Sequence, residues 1–378
     1  MDNDMQLRLG DIAQVIMGQS PQSQYFNSNG QGKPFLQGNR TFGSKFPTYD
    51  TFTTAITKLG HKNSVVMSVR APVGELNVLS EDTCLGRGVC ALNLVDPSID
   101  PDFLFYALKG NSERLKAKQS GTVFGSINKS DIESLILELP DKAEWNAIAK
   151  FLGDIDRKIL VNEQINKNLL DLIDTVFKQK ILKNPSMTTW KQKSLLDIAT
   201  FQNGLPMQKF RPHENEEHPL KVIKIKELSN KGFSETSELC SATIDKRQIV
   251  NDGDLLFSWS GTLLADFWTG GSGGLNQHLY KVTPKNYPIW FIYCWLKYHL
   301  REFQSIAKAK ATTMGHIKRS DLENAAVYIP PVEELESLNK LLNPIQRNLI
   351  VNRITSRTLS KTRDELLPQL LSGEIEIQ

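Results

Sequence analysis

Apolar residues in this chain follow two rhythms, and each rhythm occurs twice. After Pro140, Ile148, Leu152, Ile155 and Ile159, then Leu169, Ile173 and Val176, fall in alternating steps of four and three. That spacing predicts the a/d seam of a coiled coil, and at about 1.5 Å per residue roughly 40 residues make a rod of ~60 Å. Leu338, Leu342, Ile345, Leu349, Leu359 and Leu366 keep the same register in a second copy. Asp141 with Glu144 reads as a capping box opening the first rod. Asn184-Pro185 closes it, because proline disfavours helix at the residue before it. Both seams are interrupted by asparagine, at Asn162 and Asn352. If the rods pair antiparallel about a pseudo-twofold axis, these two asparagines meet near the axis and set the register, at some cost in stability.

Ahead of each rod the rhythm is that of short strands. Ser64–Val69 is matched by Asp254–Trp259, and Gly88–Leu94 by His278–Val282, all bounded by glycine, proline or asparagine. An aromatic helical segment follows in each half, Phe103–Leu108 and Trp290–Tyr298, and Ser130-x-x-Glu133 and Ser320-x-x-Glu323 read as capping boxes of short helices. Sliding the chain by 190 residues lays 121–182 over 311–372 without a gap, with 17 of 62 positions identical, against about one in sixteen by chance. Leu9-Gly-Asp-Ile-Ala13 answers Leu195-Leu-Asp-Ile-Ala199 at an offset of 186, so the copies differ in length between residues 26 and 60, where a variable loop is expected.

The fold class is therefore α+β: two small mixed α/β globular domains alternating with two long helices that pair as an antiparallel coiled coil. The expected divisions are a recognition domain over 1–140, a helix over 141–182, a linker over 183–190, a second domain over 191–330, and a second helix with a tail over 331–378.

Length and composition fit this picture. The 378 residues exceed one ordinary domain, and 40% hydrophobic with 8% aromatic content suffices for two cores. A net charge of +3 permits nucleic-acid binding without arguing for it. The four cysteines, Cys84, Cys90, Cys240 and Cys294, show no pairing rhythm and read as reduced thiols of a cytoplasmic protein. Met1–Met5 is acidic and resembles no signal peptide, and Ile289–Leu296 is far too short to span a membrane.

Chemical motifs are mostly missing. Gly30-Gln-Gly-Lys33 lacks the upstream glycine of a phosphate loop, and His213 and His218 are spaced wrongly for one face of a metal-binding helix. Asp141, Asp156 and Lys158 loosely fit a metal-dependent nuclease, but the second copy, with Pro331 and Gln346, keeps neither carboxylate. What differs between the copies is the turns. Arg70-Ala-Pro-Val-Gly74 faces Ser260-Gly-Thr-Leu-Leu264, Leu85-Gly-Arg-Gly88 faces Leu275-Asn-Gln-His278, and Gln37-Gly-Asn-Arg40 faces Lys224-Ile-Lys226. Arginine, glutamine and asparagine can each read a base edge with two hydrogen bonds.

The order globular–helix–globular–helix, the duplicated Leu-x-Asp-Ile-Ala opening, the transitions at Pro140 and Pro330 and the ending Leu366-Leu-Pro-Gln-Leu-Leu-Ser-Gly-Glu-Ile375 together resemble the specificity (S) subunit of type I restriction–modification enzymes. The resemblance covers essentially the whole chain. One departure is the helix start, where the family's Glu-Gln pair is Glu144-Trp145 here and Glu334-Leu335 in the second copy. The resemblance implies a non-catalytic subunit that reads a bipartite site on double-stranded DNA, one half per domain, with the rods setting the spacing. It implies two methyltransferase (M) subunits bringing S-adenosylmethionine to methylate adenine N6, and restriction (R) subunits bringing ATP and Mg, with no cofactor or metal in this chain.

On that reading the DNA-binding candidates of the first half are Gln19, Ser20, Gln37, Asn39, Arg40, Arg70 and Arg87. Those of the second are Gln208, Lys209, Lys224, Lys226, Ser258, Ser260, Gln277 and His278. Asn128, Lys129, Lys318 and Arg319 are candidate phosphate contacts on the two repeated turns. The alternatives are the nuclease above and a helical adaptor whose globular domains bind proteins.

Overall fold

In both halves the strand-like runs pair into one antiparallel order. The computed structural model describes residues 5–117, 125–309 and 315–377; the acidic Met1–Asp4 and residues 122–124 and 312–314 of the repeated turn lie outside them. The chain forms two compact units, residues 1–159 with 359–378, and residues 160–358.

In the first unit a four-stranded sheet runs Ala13–Met17, Val89–Leu94, Val65–Ser68, Leu76–Val78. Side chains alternate across a strand, and here the alternation separates two cores. Val65 and Met67 face helix Pro101–Gly110, while Val66 faces Leu36, Leu79 and Leu85 of a smaller sheet. A strand buried on both faces must be apolar throughout, which explains the unbroken Val65-Val-Met67. The helix starts where Asp100 accepts a hydrogen bond from the Asp102 N–H, with Pro101 at its first position.

The smaller sheet replaces the loop expected over 26–60. Its order is Phe26–Asn27, Phe52–Thr53, Lys33–Leu36, Thr83–Leu85, Leu59–Gly60, with Lys33–Leu36 and Thr83–Leu85 parallel. Its strands are two to four residues long, too short for a periodic signal, so sequence patterning could not reveal them.

The second unit repeats both layers. Ala199–Asn203, Leu279–Pro284, Leu255–Ser258 and Ala265–Phe267 form the four-stranded sheet, and Leu239–Cys240, Leu220–Ile223, Gly273–Leu275 and Ile249–Val250 the smaller one. Leu255 and Phe257 face helix Ile289–Ala309, and Leu256 faces Ile223, Trp268 and Leu275.

The rods are Trp145–Phe177, entered by a 3-10 turn over Lys142–Glu144 and continued by a π turn over Lys178–Leu182, and Val332–Leu371. Each unit takes a piece of both. Trp145, Ile148, Leu152, Leu367, Leu370 and Leu371 complete the first core, and Ile173, Phe177, Ile181, Leu338, Leu342 and Leu349 the second. The pairing is antiparallel: in the second unit Asn162 donates to Ser356 Oγ at 3.2 Å and Asn184 to Glu334 Oε1 at 3.2 Å.

Trp145, the departure at the helix start, stacks on Phe103 with ring centroids 4.4 Å apart and donates its indole N–H to the Pro140 carbonyl at 3.1 Å. The adjoining capping box is only half made. Asp141 accepts from the Ala143 N–H, but Glu144 Oε2 is buried without a hydrogen bond. The short helices also start earlier than read from sequence. Asn128, not Ser130, caps helix Lys129–Glu133 with Asp131 as its reciprocal partner, and Asp321 accepts from the Lys318 N–H at the matching helix.

The expected meeting of Asn162 with Asn352 is corrected. The Asn162 amide bonds the Ser356 hydroxyl, which donates to the Asn352 carbonyl at 2.9 Å. The polar interruption spans two seam positions in each rod, Asn162 and Asn166, and Asn352 and Ser356. The antiparallel pairing thus sets Asn162 against Ser356, the seam residue that follows Asn352.

Candidate nucleic-acid interface

Two tight turns carry the first head's polar side chains. A Cβ on Gly18 would run into the Gly86 carbonyl, and one on Gly88 into the Gln37 carbonyl. Glycine is therefore required for the turns holding Gln19, Gln37 and Arg87 to pack this closely. The Gly88 N–H donates to Gln37 O at 3.0 Å, the Gln19 N–H to Leu85 O at 2.8 Å, and the Arg87 N–H to Ser20 Oγ at 3.1 Å. Arg70 extends from strand Val65–Ser68 and bridges to Ser126.

Ser20, Gln37, Arg40, Arg70 and Arg87 thereby line one cleft of about 500 Å³, floored by Phe26 and Phe35, whose rings stack at 4.6 Å. Three guanidinium groups share this cleft with one carboxylate, Asp50. Arg40 holds Asp50 at 2.7 Å, and that hydrogen bond keeps the Asp50 carboxyl below its usual range. Gln19 is exposed beside the cleft, and half-buried Asn39 opens the turn Asn39–Thr41.

The second head gathers a different set. Ser258 is fully buried with its hydroxyl donating to the Ser260 carbonyl at 3.0 Å, so it is withdrawn as a DNA contact. Ser260 is buried as well, and its hydroxyl meets His278 Nδ1 at 2.8 Å, orienting the ring. Gln277 Nε2 lies 3.4 Å from His278 Nε2, and Gln277 Oε1 is buried without a partner. Trp259 packs on both His278 and His316 and donates its N–H to Asn203 Oδ1 at 3.1 Å.

Gln208 and Lys209 are exposed on the turn Met207–Lys209, and Lys226 is exposed on helix Ile225–Asn230. Lys224 is paired with Glu238. Lys318 and Arg319 are exposed at the start of helix Arg319–Asn324, and Lys129 pairs with Glu133 at 3.4 Å. Asn128 is exposed and caps its helix, its side-chain oxygen accepting from the Asp131 N–H at 3.0 Å.

Trp259 and Asn203 were missed in the sequence, although one signal was present. Trp259 stands where the first copy has Val69, and a half-exposed tryptophan replacing a buried valine marks a changed surface.

The carboxylates of the nuclease reading are committed elsewhere. Asp156 is buried and accepts from Arg363 and from the Tyr106 hydroxyl, with Lys45 Nζ 3.5 Å away. Burial works against the Arg363 charge, and Asp156 together with Asp364 outweighs it, raising the guanidinium pKa. Burial and the Asp156 charge push the Tyr106 phenol up, so it remains a hydrogen-bond donor. Among the described residues no group of histidine, cysteine, aspartate or glutamate is arranged to hold a metal ion, and no helix is long and apolar enough to cross a membrane.

A frame built twice, with unlike polar turns on each copy and a helical pair joining the sequence halves, defines a tandem recognition scaffold. The chain belongs to the family described as the type I restriction modification DNA specificity domain, which matches residues 1–171 and again 187–356. It is 36% identical over 171 residues to a putative type I restriction enzyme MjaX specificity subunit of Methanocaldococcus jannaschii, a match spanning 44% of this chain and 40% of that protein. It is 26% identical over 351 residues to the MjaIX specificity subunit of the same organism, covering 84% of this chain and 78% of that one. The fold is shared with the S subunit of a type I restriction–modification system from M. genitalium at a TM-score of 0.62 and 19% identity, covering 100% of this chain and 97% of that one.

Proposed function

We propose that this chain is the non-catalytic subunit that reads a bipartite DNA sequence, one half per globular head, for a type I restriction–modification complex in the cytoplasm. The observation that carries this reading is the contrast at matched turns. Arg70 and Arg87 of the first head stand where the second has Ser260 and Gln277, on frames of one strand order. Phosphate contacts by exposed Lys129, Lys209, Lys226, Lys318 and Arg319 supply salt-dependent affinity, and the cleft and the Trp259–His278 cluster select sequence.

The rods also present apolar side chains to solvent at matched positions, Phe151 with Leu341 and Val161 with Val351. Apolar exposure repeated at the same step in both copies supports docking of two methyltransferase subunits. On this reading S-adenosylmethionine belongs to those subunits, ATP and Mg to restriction subunits, and no cofactor to this chain.

Exchanging residues 1–140 for the matching domain of another specificity subunit tests the reading. With a methyltransferase partner present, mapped adenine methylation should change in one half of the target and keep the other. A change in both halves, or in neither, overturns the two-reader scheme.

A further inference from the structure

We propose that the first head selects a guanine in its half of the target, and that Arg87 is the residue that reads it. The proposal rests on the DNA-reading function above and adds a specific base and a specific side chain. Arg87 is exposed in the cleft, and none of the described ion pairs or side-chain hydrogen bonds engages its guanidinium. Arg40, on the same cleft, is by contrast neutralised by Asp50.

The backbone beneath Arg87 is fixed from three directions. The Gly86 N–H donates to Leu36 O at 2.8 Å, the Arg87 N–H to Ser20 Oγ at 3.1 Å, and the Gly88 N–H to Gln37 O at 3.0 Å. The long side chain therefore leaves a rigid base, as a reading residue requires. Its surroundings offer donors. Ser20 Oγ donates to Gln37 Oε1 at 2.9 Å, which orients that amide with its nitrogen as the remaining donor, and Arg70 adds a second guanidinium.

A donor-rich cleft matches a base edge made only of acceptors. In the major groove guanine presents N7 and O6, whereas adenine puts an amino group beside N7 and would leave a donor facing a donor. Arginine meets both guanine acceptors at once. The matched residue of the second head is Gln277, a side chain suited to adenine, so Arg87→Gln is the informative change.

The test uses the full chain in complex with its methyltransferase partner, selecting duplexes from a randomised DNA pool and then replacing each selected base singly. One half of the target should contain a guanine whose replacement by adenine weakens binding on the order of tenfold to a hundredfold. Arg87→Lys, which keeps the charge and can still donate to N7 and O6 without the planar fork, should bind mixed-sequence DNA as before and keep that preference in weakened form. Arg87→Gln should lose it, with the other half unchanged and the melting temperature of both variants that of the parent. If Arg87→Gln keeps the guanine preference, or if either variant weakens all sequences equally, Arg87 does not read the base and the proposal falls. A parent complex that selects no sequence overturns the DNA-reading function itself, before any variant is compared.

Discussion

The two heads share a strand order and differ in how they solve the same packing problem. In the first, Gly86 and Gly88 let one turn press against Gln37, and the arginine between them is left projecting. In the second, the matched turn is Asn276-Gln277-His278, where Asn276 Oδ1 accepts from the His278 N–H and Ser260 holds the imidazole. One turn is tight because side chains are absent, the other because they bond one another. The backbone hydrogen bonds of the turn have thus stayed equivalent although the residues that shape it changed, while the side chain it projects has changed charge, size and hydrogen-bonding type. That is the pattern expected of a duplicated scaffold reading two unlike targets.

The halves also differ in how the rods complete them, and this gives the largest expected effect. Leu367, Leu370 and Leu371 belong to the first unit's core, each contributing about 1.5–3 kcal/mol when fully buried. Removing residues 366–378 should therefore destabilise the first unit by roughly 5 kcal/mol or more. Hydrogen exchange read by region should show protection lost over 65–108 and kept over 255–303. Equal loss in both would mean that the units do not fold on separate cores.

The paired rods and the two α+β heads were legible because their signals repeat. A seam spacing seen once is a helix face, but seen twice at the same offset it is a design. The small sheets were not legible, since their two-residue strands such as Phe52–Thr53 and Leu239–Cys240 carry no period. Site residues were legible as turn residues only. Sequence could not separate exposed Arg87 from buried Ser258, because both lie near strand ends and burial there depends on the layer packed above. Nor could it show that Arg363, which sits at a seam position, is matched by Asp156 across the helix pair.

That buried pair is the next sharpest difference between the copies. The repeat places Gln346 where the first rod has Asp156. Asp156→Ala removes the buried carboxylate that Arg363 and Lys45 share, leaving them only the less buried Asp364 and Asp102, and should cost about 3 kcal/mol, the low end of the loss when one partner of a buried pair is removed. Gln346→Ala strands no charge and should cost clearly less. Urea unfolding of the two variants side by side checks this, and equal losses would show that the carboxylate contributes only its volume.

The smallest effect concerns the seam itself. Asn162 is 2% exposed and its amide meets a serine hydroxyl that already donates to the Asn352 carbonyl. Replacing Asn162 and Asn352 together by leucine removes a buried polar contact of modest worth and adds apolar burial. Stability should rise, by about 1 kcal/mol. Ser356 keeps its acceptor, because the bond to position 352 is made by the backbone. The polar step does, however, oppose sliding of one rod along the other by a turn, since a slip would set an amide against leucine. The double variant should therefore unfold at higher urea while crosslinking between cysteines placed on facing seam positions becomes less selective for the native register. A stability gain with undiminished selectivity would mean that the buried charges at Arg363 and Arg353, not the asparagines, set the register.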